Sequence, residues 1–546
     1  AHVRDGYMMM FIYLPISFGD KFIPYVGKII PPILKGLADE AEFVRDTALK
    51  AGQRIINSYA ETAISLFVPE LEQGLFDDNW RIRYSSVLLL GELLFKVSGV
   101  TGKATTESVD EDDNFGTEHG LQSVTHSLGR ERRDRVLSGL YMGRSDIAAT
   151  VRQSALHVWK TIISNTPRTL REILQTLFTL LLGCLANANF DKRQIAARTL
   201  GDIVRKLGER VLPEIIPILE RGLDSSESDQ RQGVCIGLSE IMTACSRDYI
   251  IAFSSTIIPT VRRALLDPLA DVRQSAAKTF ENLHSSIGSQ ALDEILPYLL
   301  NAMQKDPNSP DTADDRHEYA LDALQRIMQL KHRVVLPYLV PYLIKPPVDI
   351  KALASLTLVA GDGLAKHLPR IIQAVVIHIA EENDSDVKHQ HIYYAEQLLC
   401  SVTDVEGLSV IIRELEEFSR SPKVNVRLVA ANLFLSFCKQ AKGTYQQYID
   451  DILRININLL NDENEQILNT AWDCVDVIIK DMDQLELQKR LPIVRQALRV
   501  AQSNSRERGR LIGLCIPKKV RNRVFNSFHM TNQLFSLGYW MYFANL

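Results

Sequence analysis

One signature recurs along this chain and limits what it can fold into. An acidic turn precedes a basic residue, a small residue follows within a helical turn, and an apolar run with helical spacing completes the unit. It reads DEAEFVRDTALKAGQRI around Arg45, DDNWRIRYSSVLLLGEL around Arg83 and SDIAATVRQSALHVW around Arg152. FDKRQIAARTLGDIV, ESDQRQGVCIGLSEI and LADVRQSAAKTFENL carry Arg193, Arg231 and Arg273 in the same slot. Weaker copies place Arg316, Lys351, Lys388 and Arg427 there, and ENEQILNTAWDCV puts Ile467 in the basic position. Successive slots lie 35 to 43 residues apart, except for the 69 residues between Arg83 and Arg152.

Each signature follows a second apolar pattern with Pro near its start, as in FIPYVGKIIPPILKGL, VLPEIIPILERGL and HLPRIIQAVVI. A first helical turn tolerates Pro because the missing N–H has no partner there. Each unit therefore reads as two antiparallel helices, A then B, joined by a short acidic turn. Two helices every 39 residues or so is the HEAT/armadillo pattern. One helix pair is too small to bury its own apolar stripe, so neighbours must stack. The expected fold is all-α, an α-solenoid of about a dozen HEAT-type repeats, although a 546-residue length by itself would suggest three or four globular domains. Ala48, Ala155, Ala196, Ala276 and Ala431 are expected to let B helices approach closely. Arg45, Arg83, Arg152, Arg193, Arg231, Arg273 and Arg427 form a structural ladder at the AB turns, with Asp capping the B helix and Arg reaching the next repeat.

The long step holds an insertion at 101–135. Residues 104–120 contain six acidic residues and no Lys or Arg, and Arg130, Arg132, Arg133 and Arg135 then cluster. Polar acidic text buries too little surface to order itself, so 103–122 reads as a disordered loop. HEAT repeats fill 1–100, with a start that reads as a cut through a longer protein, and 136–519. Residues 520–546, rich in Phe, Tyr and Trp, show no repeat signature and read as an aberrant tail, too polar for a confident membrane span.

The 62 Lys and Arg against 66 Asp and Glu argue against a dedicated nucleic-acid coat. Seven single cysteines, none in a CxxC, fit a reducing intracellular compartment. No enzyme is expected. The segment ending at Lys103 lacks the first Gly and the Ser/Thr of a phosphate loop, and His317-Glu318 has no second His to complete a zinc helix. His389 and His391 are two apart and read as surface residues. No cofactor, metal or catalytic residue is assigned. Two basic patches stand out: Lys331-His332-Arg333 between a B helix and the next A helix, and the run from Arg506 to Arg523. Neither has the interleaved aromatics of base-stacking RNA recognition.

Several segments go beyond generic repeat text. WRIRYSSVLLLGELLFKVSGVTGK, DNFGT, RRDRVLSGLYMGRSD, WKTIISNTPRTLREILQTLFTLLLG, DKRQIAARTLGDIVRKLGE and RQGVCIGLSEIM closely resemble the giant ribosome-associated translational activator family of general amino-acid control. The resemblance covers about 10–518 and is densest over 20–345. It implies a cytoplasmic, non-enzymatic adaptor that binds the RWD domain of the kinase acting on the α subunit of initiation factor two. It further implies that the full-length protein promotes that kinase on ribosomes during amino-acid starvation. No membrane and no sequence-specific nucleic acid are implied as partners. Lys331, Arg333 and Lys351 are the candidate partner-binding residues. Lys351 is the slot nearest the arginine that the family uses for the kinase, and Lys lacks the bidentate fork of Arg. The alternative is a generic HEAT scaffold such as a nuclear transport receptor or a phosphatase scaffold subunit.

Overall fold

The computed structural model describes residues 1–99, 115–303, 313–360, 363–440 and 445–481, together with 489, 490 and 492. Every regular element among them is helical. The chain divides into two compact units, Ala1–Leu299 with Pro307–Tyr319, and Leu300–Asp306 with Ala320–Leu546.

In the first unit a leading helix, His2–Phe18, precedes the pairs. Ile23–Leu37 is followed by Glu42–Ser58, Ala60–Gly74 by Trp80–Ser98, and Arg130–Gly143 by Ala149–Ile162. Thr166–Leu185 then pairs with Phe190–Leu207, Leu212–Gly222 with Ser228–Ala244, and Ser254–Leu265 with Ala270–Ile287. The second unit pairs Leu368–Glu381 with Ser385–Cys400, Val405–Ser419 with Val424–Gln440, and Ile449–Leu459 with Glu465–Asp481. Ala313–Leu343 is a B helix running into an A helix across a kink at Lys331, whose φ of −140° and ψ of 40° are non-helical. The B helix that follows, Ile350–Thr357, has only 8 residues. No described helix is long and apolar enough to cross a membrane. This is an α-solenoid architecture of HEAT-type helix pairs.

The core is aliphatic and continuous within each unit: Val44, Ile55, Leu89, Leu93, Val158, Ile203, Leu265 and Phe280 are buried in the first, Ile372, Val376, Leu415, Phe434 and Ile452 in the second. Ala48, Ala155, Ala196, Ala276 and Ala431 are all fully buried. Two of them also meet the A helix of their own repeat. A Cβ on Gly36 would lie 2.9 Å from Ala48 Cβ, and one on Gly143 would lie 3.0 Å from Ala155 Cβ. Gly74 faces Ser86 and Gly222 faces Val234 in the same way. These small pairs mark the crossing of A on B inside one repeat.

Two expectations are corrected. Pro24, Pro167, Pro213 and Pro369 do sit in first turns, but Pro69, Pro217, Pro259 and Pro297 lie inside their helices. Ala60–Gly74 begins nine residues before its Pro, so the A helix extends upstream of the proline. The insertion also contains more helix than expected. Glu118–Leu128 is helical, with the Thr117 hydroxyl accepting from Gly120 N–H, and Arg130–Gly143 follows. Just before it, Phe115 N–H donates to Lys160 C=O at 2.8 Å, and a Cβ on Gly116 would meet Ile162 carbonyl atoms at 2.3 Å. This docking fixes residues 115 and 116 against the B helix Ala149–Ile162. The remainder of the acidic loop, residues 100–114, lies outside the described residues, as do the Arg506–Arg523 run and the 520–546 tail.

Candidate binding surfaces at the two edges of the repeats

A stack of antiparallel pairs has two edges, one made of AB turns and one of the turns from B to the next A. At the AB edge the arginines share one geometry. Arg45, Arg83, Arg152, Arg193, Arg231, Arg273 and Arg427 are each the fourth residue of a B helix. In every case Nη1 donates to the carbonyls six and five residues earlier, at 2.6–3.1 Å: Asp39 and Glu40 for Arg45, Asp77 and Asp78 for Arg83, Ser421 and Pro422 for Arg427. These carbonyls lie just past the A helix, where intrahelical donors run out. The guanidinium therefore locks its own turn.

In three repeats its other nitrogens reach an Asp of the next repeat. Arg83 holds Asp146 bidentately at 2.6 and 2.9 Å, Arg231 holds Asp267 at 2.6 and 3.1 Å, and Arg427 holds Asp462 at 2.6 and 3.2 Å. Arg193, facing Ser225 in that position, turns to Asp229 and Gln232. The Asp at this turn position does not cap the helix, although Asp349 and Asp384 do cap their B helices as expected. Its carboxylate accepts from the backbone N–H two residues on (Ala41 to Asp39, Asn79 to Asp77, Ala148 to Asp146, Leu269 to Asp267), which closes an Asx turn. The N-caps are separate residues, among them Asn79, Asn189, Asp349 and Asp384. Hydrogen bonding to Asp267 raises the Arg231 pKa. Burial works to raise the Asp462 carboxyl, but the Arg427 guanidinium and the Asn464 N–H outweigh it and hold it below the usual range. A crevice of about 400 Å³ opens beside this pair, lined by Glu416, Arg420, Arg427, Asn458, Asn461 and Glu463.

Lys351 occupies this edge in the second unit. It is exposed and stands second in its short helix, behind the N-cap Asp349, whose carboxylate accepts from Ala352 N–H at 2.9 Å. Lys331 and Arg333 lie elsewhere. They stand at the start of the A helix that ends at Leu343, so this helix separates them from Lys351. At 1.5 Å per residue the ten residues from Arg333 to Leu343 span about 15 Å. The three candidate partner-binding residues are thus at opposite ends of one repeat and do not form one site.

At the opposite edge, the segment before Leu368–Glu381 packs on the start of that A helix. A Cβ on Gly363 would come within 3.3 Å of Leu336, 3.5 Å of His332 and 4.0 Å of Arg333. Lys366, His367 and Arg370, which follow on the same segment and in the first turn of the helix, were missed from sequence. The signal was present as basic residues flanking a first-turn proline in KHLPR. Burial, then Arg370 and Lys366, pushes the His367 pKa below its ordinary value. His391 is not the surface residue expected: its ring is half-buried, 5.3 Å from that of His378. His389 is exposed.

Two-helix repeats joined by an arginine-locked turn define a HEAT-type scaffold, a fold whose exposed edges and faces serve protein binding. A family model described as stalled ribosome sensor GCN1-like, HEAT repeats, matches residues 335–518. The chain is 54% identical over 518 residues to the stalled ribosome sensor GCN1 of Homo sapiens, covering 95% of this chain and 19% of that protein. It is 39% identical over 503 residues to the eIF-2-alpha kinase activator GCN1 of Saccharomyces cerevisiae, covering 91% and 18%. Against the protein ILITYHIA of Arabidopsis thaliana it is 40% identical over 529 residues, covering 95% and 19%. Among solved structures, karyopherin Kap121p bound to the extreme C-terminus of the phosphatase Cdc14p is similar with a TM-score of 0.39 and 14% identity, over 89% of this chain and 50% of that one. The chain belongs to the GCN1 family. It spans about a fifth of the length of the curated relatives it matches.

Proposed function

We propose that this chain is a cytoplasmic, non-catalytic docking segment for activation of the eIF-2-alpha kinase on ribosomes. The supporting observation is similarity across nearly the whole chain to relatives named as a stalled ribosome sensor and a kinase activator. The proposed partner is the RWD domain of that kinase, and the proposed contact is the AB edge at Lys351. The mechanism is effective concentration: a kinase held beside a ribosome meets its activating signal without any new chemistry in the scaffold. Lys351 suits a contact because it is exposed on a helix too short to hide its flanks. A Lys offers a mobile point charge where Arg would offer a planar fork.

Pull-down of a purified RWD domain with the 546-residue chain tests this. The wild-type chain is expected to retain the domain, Lys351→Glu to lose at least tenfold in affinity, and Lys351→Arg to bind at least as well as wild type. Retention no greater than on an unrelated HEAT protein overturns the reading.

A further inference from the structure

The cations at the other edge of the second unit carry an inference independent of the kinase contact. His332 and Arg333 open one A helix, and Lys366, His367 and Arg370 lie at the opening of the next. The packing of Gly363 on His332, Arg333 and Leu336 draws the two groups together. Arg333, Lys366 and Arg370 are exposed and form no ion pair among the described residues. Elsewhere Arg4, Arg135, Arg168, Arg262, Arg263, Arg413 and Arg420 each have a carboxylate partner, while Lys35, Arg54 and Arg171 are likewise exposed without an ion pair among the described residues. The first turn of Leu368–Glu381 also lacks the acidic residue that would satisfy a helix N-terminus. The partial positive charge of that terminus therefore adds to the side chains. The depressed His367 pKa registers the same field, since two of its three causes are the neighbouring cations.

We propose that this edge, with Arg333, Lys366 and Arg370 at its centre, binds the phosphate backbone of double-helical RNA. Three features choose this partner over other polyanions. The cations stand on two successive repeats at the surface instead of converging on a cavity, so they match a row of phosphates better than a single phosphorylated residue. The cluster holds no exposed aromatic for stacking unpaired bases. Tyr338, the nearest along the chain, is five residues beyond Arg333 and so about 140° around the helix. An acidic protein partner would be expected to use a desolvated apolar anchor, and beside the charged side chains the cluster presents only Val334, 37% exposed. Contact with phosphates alone positions a protein on RNA without reading its sequence. The edge would therefore hold the scaffold against any exposed RNA helix while the Lys351 edge stays free.

The test is fluorescence anisotropy of a labelled RNA duplex of about 20 base pairs with the 546-residue chain, over roughly 50–200 mM salt. Phosphate contacts make log K fall linearly with log salt, by about 0.9 per contact on a B-form duplex and about 0.7 on a single strand. The triple variant Arg333→Ala, Lys366→Ala, Arg370→Ala should reduce this slope by about 2–3 and weaken binding at least tenfold. The charge-keeping pair Arg333→Lys, Arg370→Lys should keep the wild-type slope. All three side chains are exposed, so thermal melting of the triple variant should match wild type, and a matching melt separates lost contacts from lost fold. An unchanged slope in the triple variant overturns the proposal. Polyglutamate of equal charge binding as tightly as the duplex overturns the choice of RNA. Loss of RWD binding by the triple variant with duplex binding intact would reassign the cluster to the kinase. Failure of the RNA test leaves the RWD pull-down with Lys351 variants standing, so the two readings fail separately.

Discussion

At the scale of the residue, one guanidinium does two jobs at each turn. It satisfies carbonyls left open past the A helix, and in the best-formed cases it also pairs with the next repeat. Arg83 and Asp146 show why the pairing needs its partner: their side chains are 5% and 2% exposed, so either one alone would be a buried, uncompensated charge. Removing one member of such a pair typically costs about 3–5 kcal/mol, whereas replacing both with apolar residues is often close to neutral. Asp146→Ala is therefore expected to lower unfolding free energy by about 3–5 kcal/mol, and Arg83→Met with Asp146→Leu by clearly less. Denaturant unfolding of the three proteins measures the difference; equal losses in both variants would show that the ion pair is not the source. The arginine row was legible because its interval repeats. Its partners were not, because the receiving Asp lies five or six residues before the next slot and is Asn187 or Ser225 in some repeats. Sequence shows which turn an arginine starts in, but whether its free nitrogens meet a carboxylate depends on the stacking of neighbours.

At the scale of the element, packing distances are set by glycine at a few crossings. Gly233, on the B helix Ser228–Ala244, is the tightest: a Cβ there would stand 2.1 Å from the Leu185 carbonyl oxygen and 2.8 Å from its carbon. The obstacle is backbone, at the end of the preceding repeat's A helix, and cannot rotate away as a side chain would. Gly233→Ala is expected to cost about 1–3 kcal/mol by overpacking. Hydrogen exchange should speed up in Thr166–Leu185 and Ser228–Ala244, and unchanged exchange in both would mean that the helices part without strain. Helix identity was readable from the 3.6-residue apolar period in almost every repeat. The exceptions have physical causes. Acidic text hid the helix Glu118–Leu128, because an interval measured only between arginines cannot see an added element. Ile350–Thr357 is short because the turn region Leu358–Ala360 ends it, whereas the join at Lys331 was expected although no Gly or Pro announces it.

At the scale of the whole molecule, stacked repeats couple mainly to their neighbours, so a local perturbation should remain local. His391 provides a way to apply one with protons. Its half-buried ring lies on the B helix Ser385–Cys400 and faces His378 on the A helix of the same repeat. Glu382 from the intervening turn and Asp349, N-cap of the short helix that carries Lys351, act on it as charges. Burial first, and then His378, lowers the His391 pKa; Glu382 and Asp349 oppose this without overcoming it. An imidazole with a folded pKa below its unfolded value near 6.5 binds fewer protons folded than unfolded. Its contribution to stability is therefore intact above about pH 6.5 and declines as the pH falls through and below that value. Lowering the pH from about 7.5 to 5.5 should loosen Leu368–Cys400 more in wild type than in His391→Asn, which keeps a polar side chain but cannot titrate. The readout is hydrogen exchange resolved by repeat, corrected for the intrinsic effect of pH on exchange. The excess loosening should be confined to Ile350–Thr357, Leu368–Cys400 and Val405–Gln440, with the pairs Thr166–Leu207 and Leu212–Ala244 showing no difference between the two proteins. A difference that spreads evenly through every repeat would contradict nearest-neighbour coupling, and its absence everywhere would remove His391 as the titrating group.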